Sequence, residues 1–179
     1  MTNINEVILA VKDYEDKKTL DLFERIGDVK AKGFLTKEHA IAILKWKSPR
    51  PLIPYEINTD QDFEDMTLLA FKSNGDKAKM NILTTLSGVS YPSASALLMF
   101  FDKEVYPVID IRVWKELYRF GLLEKNERGQ GFTLSQWIDY LKVIRTLAKE
   151  HKLSARQIEK RLFDYSKKNQ EGTLYRNYK

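Results

Sequence analysis

The feature that most constrains this chain is the regular placement of helix starts and stops along it. Thr133 with Gln136, and Ser154 with Gln157, each put a hydroxyl three residues ahead of an amide. This is the reciprocal capping box that satisfies donors left unpaired in a helix's first turn, and periodic apolar residues follow both pairs. Thr59 with Asp62 predicts a third start, for a helix running to about Lys72 and stopped by Ser73-Asn74-Gly75. Thr36 caps another, with Ala40, Ile41, Leu44 and Trp46 as its apolar side. Pro49 must end that helix, because proline has no N–H to give and clashes with the preceding turn. Leu20, Phe23, Ile26 and Val29 predict one helix or two within residues 6–33. Residues 76–86 and 92–101 read as two helices around a tight turn at 87–91, and residues 105–109 as a short extended piece. Residues 110–120 read as a helix ended by Gly121, and 124–131 as a polar loop. The chain is thus expected to be all-α. With no internal repeat and no long linker, it reads as a single helical domain over residues 1–179.

Composition narrows the function classes. A chain of 179 residues that is 43% apolar can bury one sizeable core, or two small lobes sharing a cleft. There is no cysteine, which excludes disulfides, thiolate-bound zinc and cysteine-held iron–sulfur clusters. His39 and His151 are far apart in the sequence, so neither a metal nor another cofactor is expected. No apolar run approaches the roughly 20 residues of a membrane span. The stretch from Met1 to Val11 carries polar residues where a signal peptide would be apolar, and the expected location is the cytoplasm. The net charge of +5 is uneven. From Tyr140 to Lys179 there are eleven Lys and Arg against four Asp and Glu, a net of +7, while the rest carries −2. Such an end suits a polyanion, of which nucleic acid is the commonest in a cell, though a basic amphipathic helix also arises simply as a solvated face.

The most informative segment is Leu86-Ser87-Gly88-Val89-Ser90-Tyr91-Pro92-Ser93-Ala94-Ser95-Ala96-Leu97-Leu98, followed by Tyr106-Pro107-Val108-Ile109-Asp110-Ile111-Arg112-Val113. Gly88 can take the positive φ of a tight reversal, and backbone N–H groups near a helix N-terminus can hold a phosphate. The small residues Ala94, Ser95 and Ala96 allow close helix approach. A glycine turn between two helices is also a common structural element with no ligand. Asp110 likewise suits a helix N-cap on its own account.

In order and spacing the segment resembles the helix-hairpin-helix DNA glycosylase superfamily. There a leucine, a Gly-hydrophobic-Gly hairpin and a small-residue helix precede an extended stretch, and an aspartate heads the next helix. The resemblance covers about Asp76 to Arg119. It implies a two-lobed all-α fold, a helix-hairpin-helix element at about 76–101 and a catalytic helix at 110–120. It also implies double-stranded DNA as partner and Asp110, twenty-two positions after Gly88, as the catalytic carboxylate. In that reading a nucleotide is flipped out and Asp110 stabilises the cationic sugar or orients water at C1′. Gly88, Val89 and Ser90 would grip the backbone. The chain departs from the pattern at Ser90, where a second glycine belongs, and at Pro92, which stands where bifunctional members place a Schiff-base lysine. The implied activity is therefore that of a monofunctional hydrolase, unless a lysine from elsewhere, such as Lys47, enters the cleft.

A second patch is Lys45-Trp46-Lys47-Ser48-Pro49-Arg50, in which Trp46 can stack on a base while Lys47 and Arg50 contact phosphates. Equally, Trp46 can be core and the cations can serve the helix C-terminus. Arg112 is a candidate phosphate contact, and Tyr91 and Tyr106 are candidates for the wall of a base pocket or for packing. A non-catalytic nucleic-acid-binding module and a helical protein-interaction domain remain as the other two readings, and the oligomeric state is open.

Overall fold

The computed structural model describes residues 3–12, 15–48, 55–169 and 174. Among them the protein is all-α: α1 Ile4–Ala10, α2 Lys17–Ile26, α3 Val29–Lys32, α4 Lys37–Lys47, α5 Asp60–Lys72, α6 Asp76–Leu83, α7 Tyr91–Phe101, α8 Ile111–Arg119, α9 Leu134–His151 and α10 Ala155–Asn169. A 3-10 turn, Tyr55–Ile57, precedes α5, and no strand occurs among the described residues. None of these helices is long and apolar enough to cross a membrane.

The capping signals act as expected. Thr59 and Asp62 close one reciprocal box, and Thr133 and Gln136 another. Ser154 and Gln157 exchange the same pair of bonds at 2.9 and 3.1 Å. The first N–H groups of α10 are satisfied by a loop, Ala155 and Arg156 donating to the carbonyls of Glu104 and Lys103.

Two segments differ from expectation. Residues 6–33 make three short helices, because Asp16 and Asp28 each accept a backbone N–H and restart the chain. Leu20 there faces solvent while Ile26 and Val29 are buried. The helix expected over 76–86 stops at Leu83, where the Thr84 hydroxyl donates to the Met80 and Asn81 carbonyls. Met80, Leu83, Leu86 and Val89 are all buried, and three-residue spacing fits successive turns as well as a helix.

α7 is the central element. Every residue from Ser93 to Phe100 is buried, the pattern of a helix surrounded on all sides. α4 packs against it, and Phe100 lies between Phe23 and Trp46 with ring centroids 4.4 and 5.2 Å away. Phe101 stacks on Phe71 at 4.1 Å. α5 pairs with α6, and α10 packs on α8, α9 and α1. The buried apolar side chains form one continuous core, with Trp114, Trp137 and Tyr140 among its largest members.

α6 and α9 are tied by charge. Arg145 holds both carboxylate oxygens of Asp76 at 2.6 and 3.1 Å, and the Tyr106 hydroxyl donates to the same group at 2.9 Å. Burial pushes the Asp76 pKa up, but Arg145 and Tyr106 outweigh it and hold the carboxyl below its ordinary value. A carboxyl with a depressed folded pKa contributes stability above its unfolded pKa and loses it as pH falls through the folded value. Asp76→Asn is therefore expected to lower unfolding free energy by about 1–2 kcal/mol at pH 7. The gap to the unsubstituted protein should narrow by pH 3, as measured by urea denaturation at both pH values.

Candidate functional site

Three local devices bring the site together. The turn between α6 and α7 reverses at Gly88, whose φ of +82° is open to glycine without strain. Ser90 then enters α7 in extended conformation, and no side chain caps the N-terminus of that helix. The Ser95 hydroxyl donates to the Pro92 carbonyl and accepts from Ile109 N–H at 3.0 Å, pinning the extended strand of chain before α8 onto α7. The Tyr140 hydroxyl holds the Val108 carbonyl from the other side at 2.8 Å.

This fixed segment delivers Asp110. One of its oxygens accepts the Arg112 N–H at 2.9 Å, so Asp110 is the N-cap of α8. The other is held at 2.6 Å by the ammonium of Lys47, the last residue of α4. The two side chains are 18% and 14% exposed, and both line an open cleft of about 600 Å³. Tyr55, Gly88, Ser90, Tyr91, Ser93 and Phe132 complete most of its wall. Capping uses one oxygen of the carboxylate without withdrawing the group from solvent.

The loop after α8 closes one side. Gly129 has a φ of +64°, and a Cβ there would stand 3.1 Å from Trp114 Cδ1 and 3.3 Å from the Ile111 carbonyl oxygen, so only glycine lets the loop lie this close to α8. Asn126 then accepts the Gln130 N–H and donates to the Gln130 carbonyl, fixing Gln130 at the cleft wall.

Behind the acid–amine pair lies a smaller pocket of about 360 Å³, lined by Lys47 and Asp110 on one side and by Arg156, Glu159 and Lys160 on the other. Glu159 is only 2% exposed. Burial drives its pKa up, against the Arg156 guanidinium, its hydrogen-bond partner, and the nearby Lys47. Arg156 is buried as well and reaches Glu15 at 2.6 Å. Burial pulls the Arg156 pKa down, but Glu159 and Glu15 more than offset this, so it stays cationic. An alternating row of charges thus runs from Glu15 through Arg156 and Glu159 to Lys47 and Asp110.

Of the residues singled out in the sequence, Asp110, Lys47, Gly88, Ser90 and Tyr91 line the same cleft. Others lie elsewhere. Val89 is buried and its N–H bonds the Leu86 carbonyl, so that amide is used inside the turn and is not available to a ligand. Trp46 lines the smaller pocket instead and packs there: its indole N–H donates to the Thr19 hydroxyl at 3.0 Å, its ring meets Phe100 edge-on and the Arg156 guanidinium lies over it at 5.6 Å. Tyr106 belongs to the Asp76–Arg145 cluster, because desolvation and the adjoining carboxylate keep its hydroxyl protonated and donating. The Arg112 guanidinium lies 5.7 Å from the Phe163 ring on α10, away from the cleft wall. Arg50 lies outside the described residues. Sequence reasoning missed Tyr55, Gln130, Phe132 and Glu159. The glycines flanking Gln130 were the signal available for that residue, while nothing local to Glu159 marks an acid that will be buried beside α4 and α8.

Fold and site define an all-α protein with a carboxylate and an amine in contact on the wall of an open cleft. Comparison with protein-family models, with curated proteins and with solved structures found no match.

Proposed function

We propose that the protein is a DNA glycosylase that turns one nucleotide out of a duplex and breaks its N-glycosidic bond beside Asp110. The observation that carries this reading is the Asp110 carboxylate on the wall of a cleft that the Gly88 turn and the uncapped start of α7 also line. A cleft of about 600 Å³ falls in the range that takes small organic ligands. Helix N–H groups without a side-chain cap favour a backbone phosphate at its edge. As the base departs with the bonding electron pair, the sugar gains positive charge at C1′, and a fixed carboxylate stabilises that charge more than it stabilises the neutral ground state. Water then adds at C1′ and releases its proton to the leaving base or to Asp110.

A second route is favoured by one observation, the Lys47 amine 2.6 Å from the same carboxylate. The position of Pro92 argues for hydrolysis by water alone, yet Lys47 occupies the cleft from a different helix. In this route the C1′–N bond breaks with its electron pair on the base, the Lys47 ammonium gives one proton to the departing base, the amine so freed bonds to C1′, and its second proton passes to Asp110, from which O4′ takes it as the ring opens. Sugar-ring opening gives an imine. Incubation with a panel of damaged duplexes in borohydride tests both steps. The expected outcome is base release accompanied by a reduced protein–DNA conjugate, which Lys47→Gln does not form. Base release with no conjugate returns the attack to water, and no release from any duplex removes the glycosylase reading.

A further inference from the structure

Glu159 is a buried acid with no part in either route of base release. It does not stand on the wall of the larger cleft, so it touches no nucleotide there. Burying a carboxylate is costly unless partners compensate, and three do so here. The Arg156 guanidinium bonds to it, the Val108 N–H donates to the same oxygen at 3.5 Å, and Lys47 faces it across the smaller pocket.

Two of these partners lead to the acid–amine pair. Val108 stands two residues before Asp110, in the segment that Tyr140 and Ser95 clamp. Lys47 is close enough that its charge favours the ionised form of Glu159, while the Asp110 charge opposes it. The Lys47 ammonium thus has two carboxylates about it, Asp110 at 2.6 Å and Glu159 across the smaller pocket. The other acids on that pocket wall are engaged elsewhere, Asp164 by Lys160 and Asp16 by the first turn of α2. Arg156 is shared with Glu15, and Lys18 and Lys167 stand at exposed positions on the rim. Tyr140, on α9, donates to the Val108 carbonyl, and burial keeps its hydroxyl protonated.

We propose that Glu159 is the positioning residue that keeps Lys47 an ammonium beside Asp110, and so keeps a proton ready for the departing base. The hold on Lys47 needs no DNA, whereas its use in base release rests on the excision reading above. A nearby opposite charge favours the charged form of an amine, and salt screens that attraction little when the groups are withdrawn from solvent. Replacing Glu159 by glutamine removes the attraction and leaves Arg156 and Lys47 as like charges across the pocket, which adds to the effect. Glutamine keeps an oxygen for the Val108 N–H, so charge is the main thing lost.

Acetic anhydride acylates free amines and not ammonium groups, and mass spectrometry can read Lys47 against the exposed Lys142 in protein without DNA. At pH 7, Glu159→Gln is expected to raise the labelling of Lys47 about tenfold. At a pH high enough to free the amine in both proteins, the two should label alike. A rise by the same factor at both pH values would show that the substitution merely loosens the site, and no rise at pH 7 would show that Glu159 exerts no hold; either overturns the proposal. Should Glu159→Gln fold poorly, Arg156→Met with Glu159→Gln removes both buried charges together and should still raise labelling severalfold at pH 7. On damaged duplexes, Glu159→Gln should release base at the parent's rate at pH 6 and lose activity about one pH unit earlier toward alkali. Loss at the same pH as the parent denies Glu159 a part in the reaction and overturns the proposal. No base release by the parent, with the labelling change present, removes the excision reading and leaves the hold on Lys47.

Discussion

Asp110→Asn is expected to reduce base release by about a thousandfold while leaving duplex binding intact. The substitution removes charge and little else. Asparagine caps a helix as well as aspartate does, so α8 should keep its start and its bond to the Arg112 N–H. Lys47 loses its immediate partner but retains the buried Glu159 behind it. On the proposed reading, removing a negative charge from the cleft should strengthen binding to a polyanion. What disappears is the carboxylate charge that the Arg112 N–H and the Lys47 ammonium hold at the cleft wall. Parallel measurement of binding by anisotropy and of excision on damaged duplexes checks this. Equal excision by both proteins would remove Asp110 from the chemistry. Binding by both with excision by neither would leave a nucleic-acid-binding module on this scaffold.

The largest expected effect on stability is at Arg156. Replacing it by methionine keeps much of its volume but leaves Glu159 buried without its guanidinium partner, and leaves Glu15 unpaired. Breaking a buried pair from one side costs about 3–5 kcal/mol, because the remaining charge is out of water and has lost its hydrogen-bonded counter-ion. In a chain of this length that corresponds to a fall of roughly 6–20 °C in Tm. The pH dependence follows from the sign of the Glu159 shift. Its folded pKa is already raised by burial and rises further without Arg156, so the folded state binds its proton more readily than the unfolded state does. The deficit should therefore shrink as pH is lowered from 7 to 5. Adding Glu159→Gln should recover part of it at pH 7 by removing the unpaired charge. A Tm within about 2 °C of the parent would contradict the account, because that is the size of an ordinary surface change. The result also bears on the cleft, since Glu159 lies under the Val108–Asp110 segment that Tyr140 and Ser95 clamp.

Much of this was legible because it is local. Thr59, Thr133 and Ser154 act on residues three positions ahead, and Gly88 and Asp110 act on the bonds next to them, so their roles need no knowledge of packing. Lys47 was legible only as a condition: the sequence identified an amine on the last turn of α4, but its approach to Asp110 depends on how α4 lies against α7. Trp46 shows the opposite failure. Its neighbours Lys45 and Lys47 made it resemble a stacking residue, yet Arg156 and Thr19, distant in sequence, claim its ring and its N–H, and Phe100 packs against it edge-on. Tyr106 failed for the same reason, through Asp76 and Arg145. Glu159 carried no sign at all, because a glutamate on a basic amphipathic helix looks solvated until its facing residues are known.

The most direct measurement is a crystal structure of Asp110→Asn protein with a damaged duplex. The account predicts a nucleotide extruded into the cleft between Tyr55, Tyr91 and Phe132, with its C1′ about 3.5 Å from the side chain at position 110 and from the Lys47 nitrogen. A duplex seated on another face of the molecule, or on this one with every base still stacked, would contradict it.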